Sequence, residues 1–114
     1  GKRSHGQIPA YLRHCDVGII PFARSRLVES VSPIKLFEYA AAGLPIVSRR
    51  WRELELLEPP AALVDDAAGM AQAIRNALAA PPEAAALAAF ARKHSWRARA
   101  AQLKEILFPS GAAQ

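Results

Sequence analysis

Three features of this sequence predict an α/β fold with a parallel sheet. Short apolar segments at 17–22, 44–48 and 61–64 run without polar alternation, as strands covered on both faces do. Stretches of helical spacing lie between and after them, closed by Gly43 and by the proline pairs at 59–60 and 81–82. The first two strands and the helix between them fit within about thirty residues, the size of a parallel strand–helix–strand unit with a right-handed crossover. The expected architecture is a partial Rossmann-like parallel sheet of three short strands, with flanking helices and a group of C-terminal helices.

Pro9 suits the first position of a short helix over 10–14, and the strand at 17–22 follows. Residues 23–31 mix charges without a sustained period and read as a loop. Ser32 is a good N-cap, Pro33 fits the first helical position and Gly43 the left-handed residue past the end, which brackets a helix over 33–42. Its apolar residues occupy almost the whole circumference, so it is expected to be buried on most sides. After the strand at 44–48 comes a short helix over 51–58, and after the strand at 61–64 Asp65 and Asp66 turn the chain into a helix over 67–80 with Met70, Ile74 and Leu78 on one face. A helix over 83–94 directs Leu87 and Phe90 inward. Ser95 caps the last helix, where Trp96, Ala100, Leu103 and Leu107 share a face before a frayed tail.

The 114 residues suffice for one domain with a modest core, 1–114. With no initiator Met and a loop-like GKRSHGQ opening, the chain reads as part of something longer. Apolar residues at 52% and charged residues at 22% match a soluble globular domain, and no apolar run approaches the roughly 18 residues of a membrane span. The net charge of +5 invites an anionic partner. Arg49, Arg50 and Arg52 form the tightest basic cluster, without interleaved aromatics, so nucleic acid is not expected; an acidic small ligand or an anionic lipid surface fits better. Cys15 is expected to be a buried or half-buried structural thiol, and His5, His14 and His94 lack metal-site spacing.

The chemistry concentrates in the helix over 33–42. Lys35 and Glu38 stand three apart and so on one face. A lysine in the first turn is opposed by the helix dipole, which favours an anion there. Either an external anion compensates it, or the two residues form a solvated pair. In the first case the backbone N–H groups from Ser32 to Lys35, the dipole and the ammonium form a phosphate site at the carboxyl end of a strand. Glu38, one turn deeper, can then accept two hydrogen bonds from a ribose diol.

The string SPIKLFEYAAAGLPIVS, preceded by IPAYLRHCDVGIIPF, resembles the C-terminal, donor-binding domain of GT-B-fold retaining glycosyltransferases of the group 1, or family 4-like, type. The likeness covers residues 1 to about 48 and continues weakly in HSWRARAAQLKEIL. It implies that Glu38 holds the ribose hydroxyls of a nucleotide-sugar, that Ser32, Pro33, Ile34 and Lys35 cradle its diphosphate, and that the loop after Phe22 faces the sugar. Lys35 would be the catalytic electrophile and no metal cofactor is expected. Such enzymes often carry another glutamate eight residues before this one; here that position is Ser30, with Glu29 beside it. Arg24 and Arg26 fit either donor contacts or surface arginines, and Arg49, Arg50 and Trp51 are expected on the same rim.

The resemblance further implies glycan or polysaccharide biosynthesis of bacterial type, a glycan or lipid-linked acceptor, and a cytoplasmic setting with peripheral contact at the inner face of the membrane. It also implies an acceptor-binding N-terminal domain and the earlier strands of this domain, both outside this sequence. The competing reading is a non-catalytic α/β interaction module with a basic surface. A dinucleotide-binding domain is disfavoured, since no G-x-G-x-x-G follows a strand.

Overall fold

The computed structural model describes residues 3–23, 25–29 and 33–110. Its strands are β1 (Gly18–Ile20), β2 (Ile46–Arg49) and β3 (Ala62–Val64), all parallel in the order β1-β2-β3. Gly18 pairs with Ile46 and Val47 with Ala62, which fixes the register. The helices are α1 (Ile8–Leu12), α2 (Arg26–Glu29), α3 (Ile34–Ala41), α4 (Arg52–Leu56), α5 (Ala67–Ala79), α6 (Ala84–Lys93) and α7 (Trp96–Leu107). The α/β fold with a three-stranded parallel sheet is the one expected from the sequence.

Helix α3 joins β1 to β2 and rests on both strands and on α6, while α5 packs on β2 and β3. The main core therefore gathers Ile20 and Ile46 from the sheet, Leu36 and Ala40 from α3, Trp51 and Leu54 around α4, and Leu87 and Phe90 from α6. Alternation along β2 sends Val47 to the opposite face, so the central strand is buried on both sides. Its one polar residue, Ser48, is fully buried but satisfied: the hydroxyl donates to Arg49 O at 2.9 Å and lies 3.4 Å from Ile20 O.

Two helix starts carry side-chain caps, one at Asp66 in the expected turn and one at the expected Ser95. Asp66 accepts from Gly69 N at 2.7 Å to open α5, and Ser95 accepts from Ala98 N at 3.1 Å to open α7. Gly43, at φ 75°, takes the left-handed position that ends α3.

Several expectations need correction. The stretch read as a loop contains the single turn α2, too short to show a period. At α3 the N-cap is Pro33, extended at φ −82° and ψ 119°, so the helix begins one residue later than expected; Ser32 lies outside the described residues. Nor is α3 buried on most sides. Leu36 and Ala40 face the sheet and Phe37 stacks on Phe90 at 5.8 Å, but Ile34 is 72% exposed. In β1 only alternate residues are buried, Ile19 being exposed. Along α5, Ala73 is the buried residue and Leu78 is exposed. On α7 no residue is buried: Trp96 is 90% exposed, and Leu103 and Leu107 also face outward. Cys15 is exposed as well, its thiol donating to Tyr11 O at 3.4 Å.

Candidate functional site

A parallel strand–helix–strand unit fixes where a ligand can sit. The chain leaves β1 at its carboxyl end, and α3 begins on that same edge before running back to the start of β2. Helix N-termini there present N–H groups without intrahelical acceptors. Pro33 supplies no side-chain cap to α3, so nothing in that residue competes for the first-turn donors.

Lys35 and Glu38 share the outer face of this helix. Lys35 Nζ lies 3.4 Å from Glu38 Oε2, with side-chain exposures of 54% and 20%. The pair, one of the two readings of the spacing, is thus formed. Both charges stay within reach of solvent, so exchanging this contact for a ligand costs little; an exposed i,i+3 pair is worth about 0.2–0.5 kcal/mol.

Glu38 is also on the wall of a cavity of about 370 Å³ between α1 and α3. Ile8, Pro9 and Leu12 give it an apolar side, and His5 and Arg13 add polar groups opposite the carboxylate. An apolar slot with a few convergent polar groups is the usual form of a small-molecule site. Nothing in the sequence places His5 or Arg13 beside Glu38, because α1 reaches α3 only through the folded chain. A second cavity of about 380 Å³ adjoins Ile46 and Ala62, the first residues of β2 and β3, and its lining carries no ionisable side chain. It opens at the amino ends of the strands, the end opposite the one open α/β sheets use for ligands.

The remaining candidates divide. Arg26 is exposed on α2, whereas Arg24, Ser30 and Ser32 lie outside the described residues. Arg50 is tied down: its guanidinium donates to Leu63 O at 3.0 Å and to Asp65 at 3.3 Å, clasping the ends of β2 and β3. Arg49 has its Nε buried without a hydrogen-bond partner. Trp51 is not a rim residue facing outward but is 3% exposed, stacked beneath Phe22 with centroids 5.6 Å apart.

His94 sits apart from this edge, packed against Phe37 and Phe90 and joined to Arg99 through Nδ1 at 2.8 Å. Burial, with Arg99 and Lys93 nearby, pushes its pKa below the ordinary value. Among the described residues, no three His, Cys, Asp or Glu side chains gather to hold a metal, and no helix is long and apolar enough to cross a membrane.

A Bacillus subtilis (strain 168) protein, TuaH, assigned provisionally as a teichuronic acid biosynthesis glycosyltransferase, is 35% identical over 60 residues. That stretch covers 53% of this chain and 15% of the relative, so the chain corresponds to a minor part of that protein's length. No solved structure matches the chain at a significant level. Residues 1–105 match the family model described as glycosyl transferase-like, and the chain belongs to that family.

Proposed function

We propose that this chain is the nucleotide-gripping part of a glycosyltransferase, binding the nucleoside diphosphate of an activated sugar. The observation that carries the reading is Glu38, which lines the cavity between α1 and α3 while lying 3.4 Å from Lys35 on the first turns of α3. In this reading Glu38 accepts hydrogen bonds from the two ribose hydroxyls. The ammonium of Lys35 and the N–H groups from Ser32 through Ile34 to Lys35 hold the diphosphate. Pro33 shapes the entry to that turn, and Arg24, Ser30 and, from α2, Arg26 contact the donor sugar.

Transfer breaks the bond between the anomeric carbon and the phosphate oxygen, whose electron pair leaves on the diphosphate, while the acceptor hydroxyl oxygen bonds to that carbon and its proton passes to the departing diphosphate. Lys35 and the helix N-terminus stabilise that developing charge, a role that needs no metal ion. The acceptor is a glycan or lipid-linked saccharide, presented by the rest of the enzyme at the cytoplasmic face of the membrane.

The test is titration of the chain with UDP, GDP and ADP by calorimetry or ligand-observed NMR, with and without EDTA. One nucleotide is expected to bind equally well in both conditions. Lys35→Ala and Glu38→Gln should each weaken it by about tenfold, the loss of one charge-assisted contact. Unchanged affinity in both variants removes the site assignment, and loss of binding in EDTA removes the metal-free mechanism.

A further inference from the structure

We infer that Phe22 is a stacking platform for the pyranose ring of the donor, an inference that rests on the proposed nucleotide site and extends it by one subsite. Phe22 follows β1 by two residues and Trp51 follows β2 by two, so both stand at the carboxyl edge where α3 begins. Their rings stack with centroids 5.6 Å apart and planes at 18°. Trp51 is 3% exposed and Phe22 36%, so the tryptophan is a fixed floor and the phenylalanine stacked on it is the one open to solvent.

An exposed aromatic ring held flat by a buried one has little conformational freedom left to lose on binding. The face of such a ring carries negative quadrupole density. A pyranose presents the matching surface, a patch of axial C–H groups that is apolar and weakly positive, while its hydroxyls point outward from the ring edge.

The order of groups along α3 favours this ligand over a nucleobase. Glu38 lies deeper on the helix, at the cavity between α1 and α3, and Lys35 lies one turn nearer the N-terminus. A ligand with its ribose at Glu38 and its diphosphate at Lys35 has used up its nucleoside on the cavity side. What remains is the sugar, directed to the carboxyl edge of the sheet, where Phe22 and Trp51 are stacked. Phe22 is thus a positioning and specificity residue, acting through stacking and not on the reacting atoms.

The experiment compares a free nucleoside diphosphate with its sugar conjugates on the whole chain: UDP against UDP-glucose and UDP-N-acetylglucosamine, with the GDP and ADP series in parallel. Sugar protons are followed by saturation-transfer NMR. For the wild-type chain, the sugar should increase affinity by about three- to tenfold over the bare diphosphate, the usual range for an added aromatic contact. Phe22→Leu should abolish that increment and the sugar saturation signal while leaving the affinity for the bare diphosphate unchanged, and Phe22→Tyr should restore both. Circular dichroism and the urea-unfolding midpoint confirm that each variant is folded.

If the diphosphate binds but the sugar increment survives Phe22→Leu, the platform is overturned and the nucleotide site stands. A loss that falls equally on bare and conjugated diphosphate also overturns it, because Phe22 then supports the fold alone. If no nucleotide binds at all, the donor reading itself fails and takes this subsite with it.

Discussion

Gly18 of β1 lies against the Tyr39 ring of α3, and that contact sets a sharp test of how the candidate site is held. A Cβ built on Gly18 would lie 2.5 Å from Cγ and 2.9 Å from Cε2 of Tyr39, well inside contact distance. That ring is not free to swing away without cost, because its hydroxyl donates to Ile19 O at 3.5 Å and it packs against the main core. Gly18→Ala should therefore destabilise the chain by about 1–3 kcal/mol, the cost of one extra methyl in a packed contact. For a domain of this size that is a fall in Tm of roughly 5–15 °C. In a Tyr39→Ala background the obstacle is gone. Gly18 is not in the left-handed region, since among the described residues Gly43 is the glycine with positive φ, so alanine there should be neutral or stabilise by about 0.4–1 kcal/mol through the unfolded chain. The double-mutant cycle, measured by urea unfolding monitored by circular dichroism, should give a coupling of about 1–4 kcal/mol, with the cost of the Gly18 substitution removed or reversed. Equal costs in both backgrounds would refute the claim that the tyrosine ring is what requires glycine.

Two other outcomes follow from burial and titration. Leu36 is fully buried beneath α3 while Leu107 is exposed on α7, so Leu36→Ala should cost about 2–5 kcal/mol and Leu107→Ala less than about 0.5, compared by the same unfolding assay. Because the folded chain holds the pKa of His94 below its unfolded value of 6.5, the stability this gives is complete above pH 6.5. It is lost as pH falls through the lowered folded value, since the unfolded state takes up the proton first. Unfolding curves between pH 8 and 5 should show this loss, and His94→Phe should remove that part of the slope; an unchanged slope would mean that other groups cause it.

What was legible in the sequence follows the range over which each signal acts. Pro33 and Gly43 bracket α3 because proline and glycine act on their own backbone, and the side-chain caps at Asp66 and Ser95 act within three residues. The pairing of Lys35 with Glu38 was readable for the same reason. Periodicity reveals that α7 has an apolar face but carries no information on what lies against it, and Trp96 and Leu103 on that face are exposed. The approach of His5 and Arg13 to Glu38 depends on α1 reaching α3 through the folded chain. The stack of Phe22 on Trp51 likewise joins residues 29 positions apart through the pairing of β1 with β2. Neither leaves a local trace.

The orientation of the pair on α3 is itself informative, because it is the less stable of the two available. Lys35 lies in the first turn, where the helix dipole disfavours a cation, and the order lysine then glutamate is weaker than glutamate then lysine. Exchanging the two, Lys35→Glu with Glu38→Lys, keeps the composition, net charge and spacing while reversing the sign of both dipole terms. With both side chains partly solvated, the exchanged chain should be more stable by about 0.3–1 kcal/mol at low ionic strength, a gain that shrinks in 0.5 M salt. A helix whose only task was to pack on the sheet would gain from that exchange and lose nothing. If Lys35 faces a diphosphate, the same exchange puts a carboxylate against the phosphates and removes the acceptor for the ribose hydroxyls. Nucleotide binding should then vanish while stability rises. Denaturation and nucleotide titration on the one exchanged chain decide the matter: a more stable protein that still binds nucleotide would show that the pair is a surface ornament, and one that is less stable would show that the dipole argument is wrong.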